Sequence, residues 1–331
     1  STNPANGVGT VWANTTSGEM YVCTDATAGD NVWINIGGGD GDVQPWGFPG
    51  TISGYMHGGY TTGASNIIEK FSIPSETDAT DVGDLTQSIR DPGGCSSDTH
   101  GYAAGGFSAP DATRIEKYSF ASDGNSADTT ADLTSGRSYC EGHSSETHGY
   151  LAGGFPNSDI IDRFPFASST NATDVGNLIL VMYGFAAASS QTHGWAAGGS
   201  GASNYYNQIQ KYAFAAASNA SDHADLTSAK RYCGGCESAT HGYVIGGSHP
   251  TSNVIEKYAF ATASNATDVG DLTEGFYSNV GVASVNNGYS MGGYGSSATT
   301  NIEKFSFASD GNATNIAALN TGRYGGGKAQ H

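Results

Sequence analysis

The sequence predicts an all-β protein in which one unit is repeated six times after a short, unrelated N-terminal segment. The pattern Gly-aromatic-x-x-Gly-Gly recurs at intervals of 45 to 48 residues, at 54–59, 101–106, 149–154, 194–199, 242–247 and 288–293. A period of this length, with an aromatic residue and a Gly pair in each copy, is typical of four-stranded blades. The composition agrees, because 49 Gly and 11% aromatic residues suit a turn-rich β protein. We therefore predict a six-bladed β-propeller.

Each unit divides into four predicted strands, which we call a to d. In the second unit, residues 102–106 form strand b and residues 114–120 form strand c, in which a period of two places Ile and Lys on one face. Residues 131–133 form the outer strand d, and residues 137–145 form strand a of the next unit. Strand a is rich in small residues, as expected where innermost strands converge on an axis. The Glu-Lys pair of strand c recurs in some form in every unit, so a structural role explains it better than catalysis.

The two ends of the repeat region predict closure into a ring. From the Leu of strand d to the Gly that opens the next strand b is 16 residues in all five cases. After the last such Leu, Leu319, the chain has an inner strand within 320–331 but no strand b. The first strand b, at Gly54, lacks a good inner strand, because Pro45 and Pro49 lie before it and Pro cannot donate to a ladder. We predict that the C-terminal strand completes the first blade.

Taken together, these features resemble the Kelch repeat family of β-propellers over residues 54–331. The features are a strand ending in Gly-Gly, a strand such as 115–118 (Ile-Glu-Lys-Tyr), an outer strand and an inner strand led by Arg, as at Arg137. The outer strand departs from the family, which usually has a Trp where this chain has pairs such as Asp132-Leu133. The resemblance implies a Kelch-like architecture rather than a function, because this fold hosts unrelated functions.

The connection between strands b and c is the part of the unit that varies. Its length, from the second Gly to the acidic position of strand c, runs from 8 to 11 residues, whereas the spacing from strand c to strand d is nearly constant. In an up-and-down blade these loops share one rim with the d–a turns, and variation confined to one rim is typical of a recognition surface. Neutral drift of surface loops is the alternative. The predicted binding residues are Tyr60, Phe107, Phe155, Tyr205, Tyr206 and Tyr294.

The charge of the chain excludes two classes of partner. With 13 Lys and Arg against 31 Asp and Glu, the formal net charge is −18. Nucleic acids and anionic membrane surfaces are bound by basic proteins, so neither is expected as a partner. No apolar run approaches the length that a bilayer requires, so we expect no membrane insertion.

Candidate catalytic and metal-binding residues all have a simpler structural explanation. A Thr-His-Gly sequence precedes strand b in four units, at His100, His148, His193 and His241. A turn that needs a side-chain hydrogen bond explains these residues better than a metal site. Cys233 and Cys236 have redox spacing, but no second pair exists to complete a zinc site. The Asp-rich turn at 77–84 lacks the acidic density of a dedicated calcium loop. We therefore predict a protein that is not an enzyme, with no catalytic residues, no metal and no cofactor.

The N-terminal segment is predicted to be a separate small β module. Residues 9–14, 19–24 and 31–36 form three short strands, which gives a module at 1–36, a Gly/Asp/Pro linker at 37–53 and the propeller at 54–331. So small a sheet buries too little surface to be stable alone. It therefore needs a partner, and further copies of itself are one option.

The same segment resembles short N-terminal modules of structural proteins of marine bacteriophages. The resemblance rests on the runs at 9–12 (Gly-Thr-Val-Trp) and 21–25 (Tyr-Val-Cys-Thr-Asp). The segment is also similar to small chitin-binding modules, in which Trp12, Tyr21 and Trp33 would stack on sugar rings. An anchoring or oligomerising role is favoured over sugar binding.

The function expected from these features is that of a non-enzymatic virion surface protein: a tail-fibre, tail-associated or capsid-decorating component. The N-terminal module would bind other virion structural proteins, and the variable rim would bind a host-surface glycan or protein. The alternative is a secreted, extracellular bacterial propeller that acts in adhesion or carbohydrate binding. A propeller hydrolase or oxidase is disfavoured, because no acid/base or metal set breaks the repeat symmetry.

Overall fold

The computed structural model describes residues 7–13, 20–27, 32–35, 52–107 and 112–331. Every regular element in these residues is a β-strand, and the 27 strands form one three-stranded and six four-stranded sheets. All pairings within the sheets are antiparallel. The all-β class predicted from the sequence is therefore confirmed. The chain separates into two compact units, Ser1–Gly47 and Phe48–His331.

The N-terminal unit contains a three-stranded sheet with the order β1-β2-β3. Its strands are β1 (Val11–Ala13), β2 (Met20–Asp25) and β3 (Val32–Asn35). They lie within or close to the three segments predicted from the sequence. The predicted linker at 37–53 lies outside the described residues except for Ile52 and Ser53.

The larger unit contains six four-stranded sheets, numbered here I to VI, with their strands given from the first to the fourth. Sheet I contains β27 (Gly327–Gln330), β4 (Ser53–His57), β5 (Ser65–Ser72) and β6 (Thr80–Ile89). Sheet II contains β7 (Gly93–Ser96), β8 (His100–Ala104), β9 (Arg114–Ser119) and β10 (Ala127–Asp132). Sheet III contains β11 (Glu141–Ser144), β12 (His148–Gly154), β13 (Ser158–Pro165) and β14 (Thr173–Asn177).

The remaining three sheets repeat the same order. Sheet IV contains β15 (Ala186–Ser189), β16 (His193–Ala197), β17 (Gln208–Ala213) and β18 (Ser221–Asp225). Sheet V contains β19 (Gly234–Glu237), β20 (His241–Ile245), β21 (Val254–Ala259) and β22 (Thr267–Asp271). Sheet VI contains β23 (Val280–Ala283), β24 (Asn287–Met291), β25 (Asn301–Ser306) and β26 (Thr314–Ala318).

The C-terminal strand completes the first sheet, as the sequence predicts. Strand β27 pairs with β4, with Gly327 opposite His57 and Gln330 opposite Gly54. The first strand of each sheet also contacts the first strand of the next one, and β27 contacts both β23 and β7. The six first strands therefore follow one another in a closed cycle.

A ring of hydrogen bonds ties the six sheets together just before their first strands. Each N–H of the ring donates to the carbonyl oxygen of the equivalent residue in the preceding sheet, over 2.5–3.0 Å, and Asp91 closes the ring by donating to Gly325. All six residues have left-handed backbones, with φ between 53° and 61°. The residues of this hydrogen-bonded ring are Asp91, Tyr139, Gly184, Tyr232, Ser278 and Gly325.

Lys328 crosses the centre of the cycle. Its Nζ donates to the carbonyl oxygens of Ala187 in sheet IV and Gly235 in sheet V, over 2.9 and 2.8 Å. The equivalent residues of the other five sheets are Gly or Ala because the backbones crowd here. A Cβ on Gly94, for example, would lie 2.2 Å from the Lys328 carbonyl oxygen. One long side chain among small residues therefore links opposite sides of the unit.

The side chain at the acidic position of each third strand binds the preceding sheet just after the Leu of its strand d. These side chains are buried, and each accepts a hydrogen bond from the backbone N–H of the residue that follows this Leu. The six residues are Glu69, Glu116, Asp162, Gln210, Glu256 and Glu303. This geometry gives a structural reason for the acid of the repeated Glu-Lys pair.

Three of these acids also bind a buried cation that precedes the first strand of their own sheet. The ion pairs are Arg137–Asp162, Lys230–Glu256 and Arg323–Glu69, at 3.0, 2.9 and 3.0 Å. Sheet IV has a neutral counterpart, in which Nε2 of Gln210 lies 3.1 Å from Sδ of Met182. In sheet IV, Met182 stands at the cation position and Gln210 at the acidic position, so this sheet has no buried charge without a partner at these two positions.

Candidate recognition face

Each of the six sheets presents one pair of side chains at the same end. The residue that follows Gly-Gly, where the b–c loop begins, forms a backbone bridge with the residue that precedes the hydrogen-bonded ring. The six pairs are Tyr60–Tyr324, Arg90–Phe107, Ser138–Phe155, Tyr183–Ser200, Arg231–Ser248 and Tyr277–Tyr294. The backbone geometry is constant while the side chains differ, so this end of the unit combines a rigid frame with varied chemistry.

Aromatic rings form a continuous band across these positions. Consecutive ring centroids lie 4.9–6.3 Å apart in the order Phe155, Tyr183, Tyr232, Tyr277, Tyr294, Tyr324 and Tyr60. The guanidinium of Arg90 extends the band, because its carbon lies 5.3 Å from the Tyr60 centroid and 4.4 Å from the Phe107 centroid. The guanidinium carbon of Arg231 likewise lies 4.6 Å from the Tyr232 centroid. We call this band, from Phe155 to Phe107 and with both arginines, the aromatic face.

The structure brings most of the predicted binding residues together. Tyr60, Phe107, Phe155 and Tyr294 belong to the aromatic face, and Phe107 and Phe155 are 44% and 42% exposed. Tyr205, 43% exposed, lies beside the face and stacks on His249. Tyr206 differs from the others.

The ring of Tyr206 is half-buried and packs against the hydrophobic cluster between sheets III and IV, which includes Leu178 and Phe185. Tyr205 and Tyr206 are adjacent in the chain, and Tyr205 forms an antiparallel bridge with Ser200. In such extended backbone, neighbouring side chains point to opposite sides. Tyr206 is therefore a packing residue as well as a candidate contact.

Six of the ten residues of the face are not among the binding residues predicted from the sequence. They belong to the d–a turn rather than to the b–c loop, and five of them lie five residues after the Leu of strand d. These five are Arg90, Tyr183, Arg231, Tyr277 and Tyr324. The signal was present in the sequence, because this position carries an aromatic residue or Arg in five of six units.

Three tyrosine hydroxyl groups of the face have raised pKa values. Burial raises the pKa values of Tyr232, Tyr277 and Tyr324 above the ordinary tyrosine value. Nearby tyrosines add to this effect at Tyr277 and Tyr324. These groups can therefore both donate and accept hydrogen bonds at neutral pH.

A small polar cavity lies at the hydrogen-bonded ring. It has a volume of about 30 Å³, and its lining includes Asp91, Tyr139, Glu141 and Asn279. Burial raises the pKa of Asp91 to about 7, although a hydrogen bond with Tyr139 and the charge of Arg90 oppose the shift. Burial also raises the pKa of Glu141 to about 8, against the opposing charge of Lys328. The volume suits about one water molecule.

The His and Cys residues singled out in the sequence have local structural partners. In all four Thr-His-Gly sequences, Oγ1 of the Thr lies 2.8 Å from Nδ1 of the His. Cys233 and Cys236 are buried as free thiols, and burial raises the pKa of Cys233 to about 12. Among the described residues, no group of three or more His, Cys, Asp or Glu is arranged to hold a metal ion.

The three aromatic residues predicted in the N-terminal module share one face of its sheet. Trp12 lies opposite Tyr21, and Trp33 lies opposite Cys23, which points to the same side as Tyr21. Trp12 is 50% exposed, and its ring centroid lies 5.6 Å from that of Tyr21. The opposite face carries aliphatic side chains that are between 42% and 53% exposed. They are Val11, Met20, Val32 and Ile34.

The chain matches no protein-family model, and a search of curated proteins found no match. In the part of the chain that the structure describes, no helix is long and apolar enough to cross a bilayer.

Proposed function

We propose that sheets I to VI are the blades of a closed, six-bladed, Kelch-like β-propeller. Three observations support this arrangement: the closed cycle of contacts between first strands, the hydrogen-bonded ring, and the pairing of β27 with β4. Each sheet has four antiparallel strands in chain order from the first strand outward, apart from the C-terminal strand that completes sheet I. This is the strand order of a propeller blade.

The proposed function is that of a non-enzymatic virion surface protein, such as a tail-fibre, tail-associated or capsid-decorating component, whose aromatic face binds a host-surface glycan or protein. The continuity of the aromatic face is the observation that carries this proposal. Aromatic side chains offer large, rigid contact areas, and Tyr adds a hydroxyl for specificity. The pairs that build the face also differ from sheet to sheet, as a recognition surface requires.

The N-terminal module is proposed to attach the protein to other virion structural proteins. Its exposed aliphatic face, which includes Val11 and Ile34, supports this role. A three-stranded sheet with one such face gains stability when a partner covers it. That partner is a particle protein or a second copy of the module.

A secreted bacterial adhesion or carbohydrate-binding propeller is the second candidate. The adjacent rings of Trp12, which is exposed, and Tyr21, which is half-buried, favour it, because neighbouring aromatic rings on a sheet suit stacking on sugar rings. Immunogold labelling of purified phage particles separates the two candidates. Label on intact particles supports the virion protein, whereas label confined to bacterial surfaces or culture medium supports the alternative.

Binding of the full-length protein to a glycan array and to whole host cells tests the recognition role. The variant Y277A/Y294A removes two neighbouring rings of the aromatic face and is expected to lose binding. The matched control is H148A, because His148 is the first residue of β12 and lies at the opposite end of that strand from the b–c loop. Equal binding by both variants would contradict the proposal. Turnover of any polysaccharide on the array would contradict the non-enzymatic assignment.

A further inference from the structure

The aromatic face contains two arginines at equivalent positions, and only one of them has a carboxylate partner. Arg90 in sheet II is followed by Asp91, and its Nε lies 3.8 Å from Oδ2 of that residue. Arg231 in sheet V is followed by Tyr232 instead. Among the described residues, no carboxylate lies within the 4.0 Å of an ion pair with Arg231.

Arg231 is held in place by aromatic rings rather than by an acid. Its guanidinium carbon lies 4.6 Å from the centroid of Tyr232 and 5.1 Å from that of Tyr205. Nη2 donates to Nε2 of His249 over 2.9 Å, and the His249 ring stacks on Tyr205 with centroids 4.1 Å apart. Because a guanidinium only donates, Nε2 accepts and the imidazole carries its proton on Nδ1. Within the described residues no hydrogen bond uses Nη1, so the fork of the guanidinium retains donors for a ligand.

An open pocket of about 380 Å³ lies beside this guanidinium. Its lining includes Arg231, Tyr232, His249, Pro250, Thr251 and Tyr277. The volume falls in the range of small-molecule sites and exceeds what a single inorganic anion fills. His249 has a left-handed backbone, with φ of 79°, which is costly for a residue other than Gly. The loop therefore accepts an unfavourable backbone where it places the imidazole against Arg231.

We infer that this pocket binds a carboxylated pyranose, that is, an acidic sugar residue of a surface polysaccharide or glycan. A guanidinium fork matches the two oxygens of a carboxylate, and the aromatic rings beside it suit the apolar face of a sugar ring. The hydroxyl groups of Thr251 and the tyrosines suit the remaining sugar hydroxyls. The inference rests on the proposed recognition function and names the ligand class of one part of the aromatic face.

Titration calorimetry with the full-length protein tests the pocket. The probes are trigalacturonate with its fully methyl-esterified form, and 3′-sialyllactose with lactose. At least one acidic probe is expected to bind about ten-fold or more tightly than its neutral partner, because hydrogen bonds to a charged group are the strong ones. R231Q is expected to remove that preference, and R231K to restore it in part, because Lys keeps the charge without the fork.

The matched control is K257Q, which removes a positive charge from the same sheet outside the aromatic face. Lys257 lies in β21 and pairs with Asp310, so K257Q is expected to bind the acidic probe as the wild type does. Thermal unfolding of each variant confirms that it is folded. Equal loss of binding in K257Q and R231Q would indicate a general charge effect and would overturn the assignment of the pocket.

The remaining outcomes separate the pocket from the recognition function. If no acidic probe is preferred over its neutral partner, while cells or array glycans still bind through Tyr277 and Tyr294, the assignment of the pocket to an acidic sugar is wrong and the recognition role stands. If an acidic probe binds through Arg231 but the protein binds no host cells and is not found on phage particles, the assignment of the pocket stands and the virion role is wrong. If neither acidic probes nor cells and array glycans bind, both proposals are wrong.

Discussion

At the scale of single residues, the buried pair of Arg137 and Asp162 shows how the repeat tolerates charge in its interior. The two side chains are 1% and 0% exposed and their charged atoms lie 3.0 Å apart. Burying two charges costs much of what their attraction returns, whereas removing one partner leaves the other uncompensated. Sheet IV avoids the problem with Met182 and Gln210 at the equivalent positions.

We therefore expect R137M to lower the free energy of unfolding by about 3–5 kcal/mol. The double variant R137M/D162Q copies the natural pair of sheet IV and is expected to lie within about 1 kcal/mol of the wild type. Urea denaturation measures both values. The explanation is wrong if the double variant is as unstable as R137M alone.

Two carboxyl groups near Lys328 give the protein a distinct pH dependence. Burial raises the pKa of Glu237 to about 7 and that of Glu141 to about 8, from an ordinary value of 4.5, although Lys328 opposes both shifts. A raised carboxyl pKa means that the folded state binds the proton more tightly. The resulting stability is fully present below pH 4.5 and is lost as the pH rises through the folded-state values.

The variant E141Q/E237Q is neutral at these positions at every pH. We expect it to be more stable than the wild type at about pH 8, by several kcal/mol, and nearly equal to it at about pH 4.5. Burial lowers the pKa values of His57 and His143 to about 3, which destabilises both proteins alike below pH 6.5. The difference between the two urea midpoints therefore isolates the carboxyls, and E274Q serves as an exposed control. A constant difference across the range would contradict the assignment.

The sequence predicted which loops vary but not which residues they pair with. Tyr60, Phe107, Phe155 and Tyr294 were found because each follows a Gly pair that recurs along the chain. Their bridge partners, such as Tyr324, lie in the d–a turn, and only the folded register brings the two segments together. The different surroundings of Tyr205 and Tyr206 likewise could not be predicted from the sequence. They follow from the extended backbone of this loop, in which neighbouring side chains point to opposite sides.

At the scale of elements, the C-terminal strand β27 carries the closure of the unit. It pairs with β4, contacts β7 and β23, and supplies Lys328. Closure could be predicted because the Leu-to-Gly spacing left one inner strand without a partner. The hydrogen-bonded ring could not, because four of its six left-handed residues are not Gly and carry no common residue type.

Removal of residues 326–331 deletes β27 while leaving Arg323 and its ion pair with Glu69 in place. We expect the shortened chain to unfold at lower temperature and over a broader range, because β4 loses its ladder partner and sheets VI and II lose their contact with sheet I. Calorimetry measures both effects. A synthetic peptide of residues 326–331 added in excess is expected to restore part of the sharp transition, since it can take the place of the missing strand.

The variant K328M distinguishes the contribution of strand β27 to stability from that of the Lys328 side chain. It keeps β27 but removes the hydrogen bonds to Ala187 and Gly235. We expect it to retain a sharp transition at a moderately lower temperature. If the shortened chain melts as sharply and at the same temperature as the full chain, β27 does not close the unit.

At the scale of the whole molecule, the distribution of positive charge follows the distribution of roles. Of the 13 Lys and Arg residues, three form buried pairs, one crosses the centre and two lie on the aromatic face. The remaining seven lie in the third strands, as at Lys257, which pairs with Asp310 in the adjacent sheet. Arg231 thus places a guanidinium with unused donors at the pocket of the aromatic face. Its positive charge offsets the repulsion that an anionic ligand would meet at a strongly acidic protein.

The closed cycle also predicts that the larger unit unfolds as one body. Each first strand contacts two neighbours, and the hydrogen-bonded ring joins all six, so opening one sheet removes partners from the next. Hydrogen exchange with mass spectrometry is expected to give the same free energy of opening for Gly93–Ser96, Ala186–Ser189 and Val280–Ala283, with faster exchange in the fourth strands at the outer edges. Without β27, protection is expected to decline most in sheets I, II and VI. If the three strands of the full chain differ by more than about 2 kcal/mol, the sheets open one by one and closure confers no cooperativity.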